Sequence, residues 1–168
     1  MGVLHGYFQA SDHATAVDAA FGPGGVGPGR VLEAGAGRFD ARGPDPDVAL
    51  AALVVHAEAA PRAVRPDGPE LVWPEPCDLR QDSAGSDWAW HTGLVLQQLP
   101  DRWRDVLADL PEEAVPLVAA QWYEGDDVDF TDYAVTRDTV EALARLARGA
   151  RAAGGHLYCR SGPPARAA

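Results

Sequence analysis

The sequence of 168 residues contains no lysine, no isoleucine and no asparagine. These are the residues whose codons are rich in A and T, so their joint absence indicates a GC-rich bacterial genome rather than selection on this protein. Because lysine is missing, all 14 residues of the lysine and arginine class are arginine. The arginine content therefore does not indicate a phosphate-binding site.

Long apolar runs and cysteine are also scarce. No stretch approaches the roughly 18 apolar residues of a transmembrane helix. The first residues, MGVLHGYF, lack a basic region followed by an apolar run, so we expect no signal peptide. Only Cys77 and Cys159 are present, which fits a reduced cytoplasmic protein, although a single disulfide stays open.

Positive charge is in deficit, since the formal net charge is −11 and the sequence pI is about 4.7. Such a charge disfavours binding to nucleic acid and to anionic membranes. It is compatible with a basic protein partner, and equally with a role in solubility alone. The sequence leaves the oligomeric state open.

The length and the apolar content of 46% are typical of one domain with one core. We predict an α+β fold over residues 1–160, in which a small mixed sheet packs with about four to five helices, followed by a flexible tail over residues 161–168. Strands are predicted at 3–8, 71–73, 88–96 and 156–159, and helices at 14–20, 47–59, 100–110, 111–118 and 137–153.

Two of these helices have clear starting residues. Ser11 or Asp12 can cap the first helix, because either side chain accepts hydrogen bonds from unpaired backbone N–H groups. Thr136 is expected to cap the last helix in the same way, with Asp138 in its first turn.

The segment 121–133, QWYEGDDVDFTDY, interleaves large aromatic residues with carboxylates. Burying each ring is worth about 2–3 kcal/mol, whereas carboxylates need water, a cation or a basic partner. We therefore expect the rings to hold the segment against the body and the acids to face outward. The candidate partner-binding residues are Trp122, Tyr123, Glu124, Asp126, Asp127 and Asp129.

A calcium loop is the sharpest alternative interpretation of this acidic segment. Asp127, Asp129, Thr131 and Asp138 occupy positions one, three, five and twelve of an EF-hand count. The loop, however, has Asp132 where an EF-hand requires glycine, and it lacks the bidentate glutamate at the last position. The sequence therefore predicts no metal site and no cofactor.

Catalytic motifs are not recognisable in the sequence. Gly24 and Gly29 have the spacing of a phosphate-binding loop, but Arg30 follows where that loop needs lysine. His156 and Cys159 are three residues apart, so a strand would point their side chains to opposite faces. No catalytic residue is therefore assigned.

Two classes of function remain open from the residues. The first is a non-catalytic interaction protein, for example an immunity-type module whose acids neutralise a basic toxin surface. The second is a small-molecule-binding domain or small enzyme, with a pocket lined by Trp73, Trp88, Trp90 and His91.

The two ends of the chain resemble the YfbM-like family of small uncharacterised bacterial proteins. The resemblance lies in the opening MGVLHGYFQASD, in LPDRWRDVLADLPEEAV at 99–115, and in three C-terminal stretches, 122–127, 136–155 and 156–160. It implies a mixed α/β domain that is bacterial and cytoplasmic, with Trp122 and Tyr123 packed beneath the last helix. It transfers no catalytic residues, because the family has no established ones to map.

Overall fold

The computed structural model describes residues 3–22, 38–41, 44–58, 67–74, 93–125 and 130–163, with only the backbone of 38–41. The strands are β1 (Leu4–Ala10), β2 (Arg38–Ala41), β3 (Glu70–Trp73), β4 (Val95–Gln98) and β5 (His156–Gly162). The helices are α1 (His13–Phe21), α2 (Ala51–Ala57), α3 (Asp101–Asp109), α4 (Val115–Tyr123) and α5 (Tyr133–Ala152). A π-helical turn (Pro46–Leu50) leads into α2, and a 3-10 turn (Glu112–Ala114) leads into α4.

The five strands form one sheet in the order β2-β1-β5-β4-β3, so the last strand is the central one. The α+β class and the number of helices are confirmed. In place of the expected mixed sheet, every strand pair that the structure describes is antiparallel. The reason is that α3, α4 and α5 leave from the end of β4 and return to that same end, so β5 runs back along β4.

The two faces of the sheet pack against different helices. Tyr7, Leu157 and Cys159 belong to the main core, which they share with α2, α3, α4 and α5. The alternate residues Phe8 and Tyr158 belong to a smaller core with α1. This division follows from the two-residue period of a strand, and it places α1 on the opposite side of the sheet from the other helices.

The long helix α5 carries the predicted stripe of small apolar residues, which includes Val140, Leu143, Ala147 and Ala150 and is buried in the main core. Removing a side chain such as Leu143 from water is worth about 1.5–3 kcal/mol. Small residues on this stripe allow the helix to approach the sheet closely. The main core also contains two fully buried indole rings, of Trp103 and Trp122.

The predicted start of the first helix is confirmed and that of the last helix is wrong. Asp12 caps α1, because its carboxylate accepts from the Thr15 backbone N–H at 2.8 Å. Helix α5 begins one turn before the prediction, where the Asp132 carboxylate accepts from the Ala134 N–H at 2.7 Å. Thr136 lies inside the helix, buried, and its hydroxyl donates to the Asp132 carbonyl at 3.1 Å.

The predicted bounds differ most from the structure at the last two strands, and strand β2 (Arg38–Ala41) was not predicted. Strand β5 continues to Gly162, two residues into the segment expected to be a tail, while 164–168 lie outside the described residues. Of the strand predicted at 88–96, the structure describes the end as the start of β4. In the part of the chain that the structure describes, no helix combines the length and the apolar character needed to cross a membrane.

Candidate functional site

The candidate partner-binding segment is described at both of its ends. One end is the last turn of α4 with Glu124 and Gly125, and the other is Phe130 leading into α5. Asp126, Asp127 and Asp129, three of the six candidate residues, lie outside the described residues. The site is therefore built from the side chains on either side of them.

Trp122 and Phe130 form the buried half of this segment. The indole of Trp122 is fully buried, and its Nε1–H donates to the carbonyl of Ala49 at 2.8 Å. Its ring meets that of Phe130 edge to face, with 4.9 Å between centroids and 70° between planes. Trp122 thus holds the segment to the core, as expected. Because it is fully buried, it does not contact a partner directly but supports the exposed residues next to it.

Tyr123 and Tyr133 form the exposed half. Each side chain is 37% exposed, and their rings meet edge to face at 6.2 Å between centroids. The expectation that Tyr123 packs beneath the last helix is therefore wrong. Consecutive residues of a helix point about 100° apart, so with Trp122 directed into the core Tyr123 turns outward.

The hydroxyl of Tyr133 is already engaged. It donates to the carbonyl of Pro116 at 3.0 Å, which ties the start of α5 to the first turn of α4. What this residue presents to solvent is therefore the surface of its ring. The paired rings give an amphipathic contact area whose orientation is fixed before any partner arrives.

The stretch of sequence that holds this pair is acidic and has no basic residue. Residues 111–136 contain no arginine, lysine or histidine. Glu112, Glu113 and Glu124 are exposed, and no ion pair involves them within the described ranges. Glu124 also caps the C-terminal end of α4, where the helix dipole is negative.

Other acids on the helical side of the sheet are paired with arginine. Arg102 holds Glu58 with two hydrogen bonds of 2.9 and 2.8 Å. Asp105 accepts from Arg104 at 2.9 Å, and hydrogen bonding from that guanidinium lowers the pKa of the Asp105 carboxyl. The contrast distinguishes Glu112, Glu113 and Glu124 from these paired acids.

An exposed leucine completes this surface. Leu117 is 63% exposed and lies seven residues before Glu124, so both point from the same face of α4. We call the group Leu117, Tyr123, Glu124 and Tyr133 the tyrosine–carboxylate surface. It can offer aromatic rings, an apolar side chain and unpaired negative charge to one ligand.

A second group of polar side chains meets at one end of the sheet, and no pattern in the sequence indicates it. His13 begins α1, Gln98 ends β4, Asp101 begins α3 and His156 begins β5. His13 Nε2 donates to Gln98 Oε1 at 2.6 Å, and His156 Nδ1 lies 2.7 Å from Asp101 Oδ1. The chain separations between these partners are 85 and 55 residues, so only the folded topology brings them together.

This network is backed by groups that hold it in place. Arg104 donates to Asp101 at 3.2 Å and to the carbonyl of Gly155 at 2.8 Å. The hydroxyl of Tyr158 donates to Gln98 at 3.4 Å, and burial raises the pKa of this tyrosine to about 12. The bonds join the starts of three elements to the end of a fourth, so we assign the network a structural role.

A histidine, a serine and a cysteine meet on the face of the sheet that packs against α2, α3, α4 and α5. His5 Nδ1 lies 2.8 Å from Ser161 Oγ, and Cys159 Sγ lies 3.7 Å from the same oxygen. Burial raises the pKa of the Cys159 thiol to about 12, so the thiol stays protonated and is a poor nucleophile. Cys159 and His156 face opposite sides of the sheet, as their spacing predicts.

Of the four residues predicted to line the alternative ligand pocket, the structure describes only Trp73. Trp73 lies in the smaller core, where its ring packs on Phe21 with 4.4 Å between centroids. Trp88, Trp90 and His91 lie outside the described residues. Within the described ranges, an open groove of about 530 Å³ lies instead between α2 and α3. No group of three or more His, Cys, Asp or Glu side chains among the described residues is placed to hold a metal ion.

Neither a family model nor a curated protein nor a solved structure matches this chain. The resemblance to the YfbM-like family therefore stays a prediction, and the function has to be argued from the site itself.

Proposed function

We propose that this protein is a non-catalytic interaction module that binds a basic protein through the tyrosine–carboxylate surface. The observation that carries the proposal is the exposed pair of Tyr123 and Tyr133 next to Glu124, an exposed carboxylate for which the described residues provide no ion pair. Aromatic rings fixed at a surface are typical anchors of protein interfaces, since they bury much area with little loss of side-chain freedom.

The charge of the whole chain supports the same partner. A net charge of −11 attracts a basic protein over a distance of about 10 Å at moderate salt and repels other acidic proteins. The unpaired carboxylates then determine where such a partner docks. An acid already held by an arginine, such as Glu58, offers less, because a new partner would first have to replace that bond.

An immunity-type role is the biological form that we favour. In that role an acidic cytoplasmic protein covers a basic surface of a bacterial toxin, and the aromatic rings supply the specific contacts. Such neutralisation requires affinity and no chemistry.

The test compares variants in capture from the native host. The wild-type protein, a Tyr123→Ser/Tyr133→Ser double variant and a Glu124→Gln variant are used as baits at 50 and 500 mM salt. Asp18→Asn is the matched control, since Asp18 is an exposed acid on α1 across the sheet. Each captured protein is then purified and titrated against the same variants by calorimetry.

The proposal expects one basic protein that binds the wild type with a defined stoichiometry and more weakly at high salt. The double variant is expected to lose at least about tenfold in affinity, the effect of removing an interface anchor, while Asp18→Asn binds like the wild type. A partner whose affinity is the same for all variants would place the interface elsewhere and refute the proposed surface.

A further inference from the structure

We propose that the partner group recognised at this surface is an arginine side chain, whose guanidinium lies against the Tyr123–Tyr133 pair and bonds to the carboxylate of Glu124. The inference rests on the proposed function and specifies its chemistry. It distinguishes a partner rich in arginine from one that carries lysine or only apolar residues at the contact.

The two exposed rings favour binding of a cation. An aromatic ring attracts positive charge to its face, within about 6 Å of the centroid. The rings of Tyr123 and Tyr133 are set at 78° to each other and each side chain is 37% exposed, so ring surface is available for such a contact. The Tyr133 hydroxyl is engaged by Pro116, so hydrogen bonding through that hydroxyl does not compete with contact to the ring.

The carboxylate of Glu124, next to the rings in the chain, also favours binding of a cation. Glu124 directly follows Tyr123 in the chain, is exposed, and has no ion-pair partner in the part of the chain that the structure describes. It stands at the C-terminal end of α4, where the last carbonyls of the helix also favour a cation. The ring pair, the carboxylate and the helix end lie at the consecutive residues 123 and 124, and each of them favours a positive group.

Arginine satisfies these features better than lysine. Its guanidinium is planar and weakly hydrated, so it stacks on a ring while its N–H groups bind a carboxylate with two parallel bonds. The ammonium of lysine is a strongly hydrated point charge that loses more on leaving water.

The test uses two peptide probes, acetylated hexa-arginine amide and hexa-lysine amide, which carry equal charge. Binding to each is measured by fluorescence anisotropy at 50 and 150 mM salt for the wild type, Tyr123→Leu/Tyr133→Leu, Glu124→Gln and the Asp18→Asn control. Any acidic protein attracts both probes, so the quantity that matters is the ratio of the two affinities.

The wild type and the Asp18→Asn control should bind hexa-arginine about three- to fivefold more tightly than hexa-lysine, the size of one exposed cation–π contact. The double leucine variant should bring the ratio to one while keeping the charge, and Glu124→Gln should lower it. Circular dichroism verifies that each variant is folded, and Glu124→Gln, an exposed substitution, carries the test if the double variant is not.

Equal affinity for both probes in the wild type, or a ratio that the leucine variant leaves unchanged, would overturn the arginine assignment. That outcome is separate from the fate of the surface itself. If the probes bind equally while the tyrosine variants still lose the native partner, the surface stands and only the arginine is refuted. If the variants keep the native partner, the proposed function fails.

Discussion

Neighbouring aromatic residues of one segment should have opposite effects on stability and on binding. Trp122 is fully buried, whereas Tyr123 is 37% exposed. We therefore expect Trp122→Ala to destabilise the fold strongly and Tyr123→Ala to leave it nearly intact. The comparison tests whether the structure divides the segment correctly into a supporting half and a surface half.

The expected magnitude follows from the contacts of Trp122. An indole buries about 150–250 Å², so its truncation to alanine is expected to cost about 3–5 kcal/mol in the free energy of unfolding. Trp122→Phe keeps most of the ring but removes the donor to Ala49, which leaves a buried carbonyl without its partner at a cost of about 1–3 kcal/mol. Tyr123→Ala loses one edge-to-face contact and partial burial, about 1 kcal/mol.

Urea denaturation followed by circular dichroism measures all three variants, with the slope against urea concentration verified to be the same as in the wild type. The order of destabilisation should be Trp122→Ala, then Trp122→Phe, then Tyr123→Ala. A loss of less than about 1.5 kcal/mol for Trp122→Ala, or an equal loss for Tyr123→Ala, would refute the division.

Three further results are expected. Gly155→Ala should destabilise the fold by about 1–3 kcal/mol in urea denaturation, since its new methyl group would stand 2.8 Å from the Ala10 carbonyl oxygen. Burial lowers the pKa of His5 from 6.5, so the neutral side chain contributes stability above pH 6.5 that should be lost as the pH falls. Between pH 7.5 and 5.5 the free energy of unfolding should therefore fall less for His5→Gln than for the wild type. In a Cys77→Ser variant, the thiol of Cys159 should react with Ellman's reagent at pH 8 only after unfolding.

Local signals in the sequence predicted the elements that depend on them. The apolar stripe of α5 and the cap at Asp12 rest on contacts within a few residues, and both are confirmed. The start of α5 shows the limit of such signals. Asp132 and Thr136 are both good caps one turn apart, and the packing of Tyr133 on α4 favours the earlier one.

Features that depend on the strand order could not be predicted from the chain. Strand β5 is the central strand only because the excursion through three helices returns to the end of β4. The bond between His5 and Ser161 spans 156 residues and follows from their direct opposition in the β1–β5 pair. A linear pattern of residues carries no information about such pairings.

The candidate site was predicted in part for the same reason. Mixed aromatic and acidic composition predicted a buried and an outward component for 121–133, and among the described residues Trp122 is buried and Glu124 is exposed. It did not show which ring is buried and which is exposed, because that depends on the rotation of α4 against the core. Tyr133, at the end of the segment, joins Tyr123 only through the packing of α4 on α5, and Leu117 lies before the segment on α4 itself.

The most direct test of the central claim is photo-crosslinking in the native host with a benzophenone amino acid placed at a single position. At position 123, within the tyrosine–carboxylate surface, irradiation should give one discrete covalent adduct with a basic protein. At position 14, an exposed site on α1 across the sheet, it should give none. No adduct at position 123, or the same adduct at both positions, would contradict the claim that this surface binds the partner.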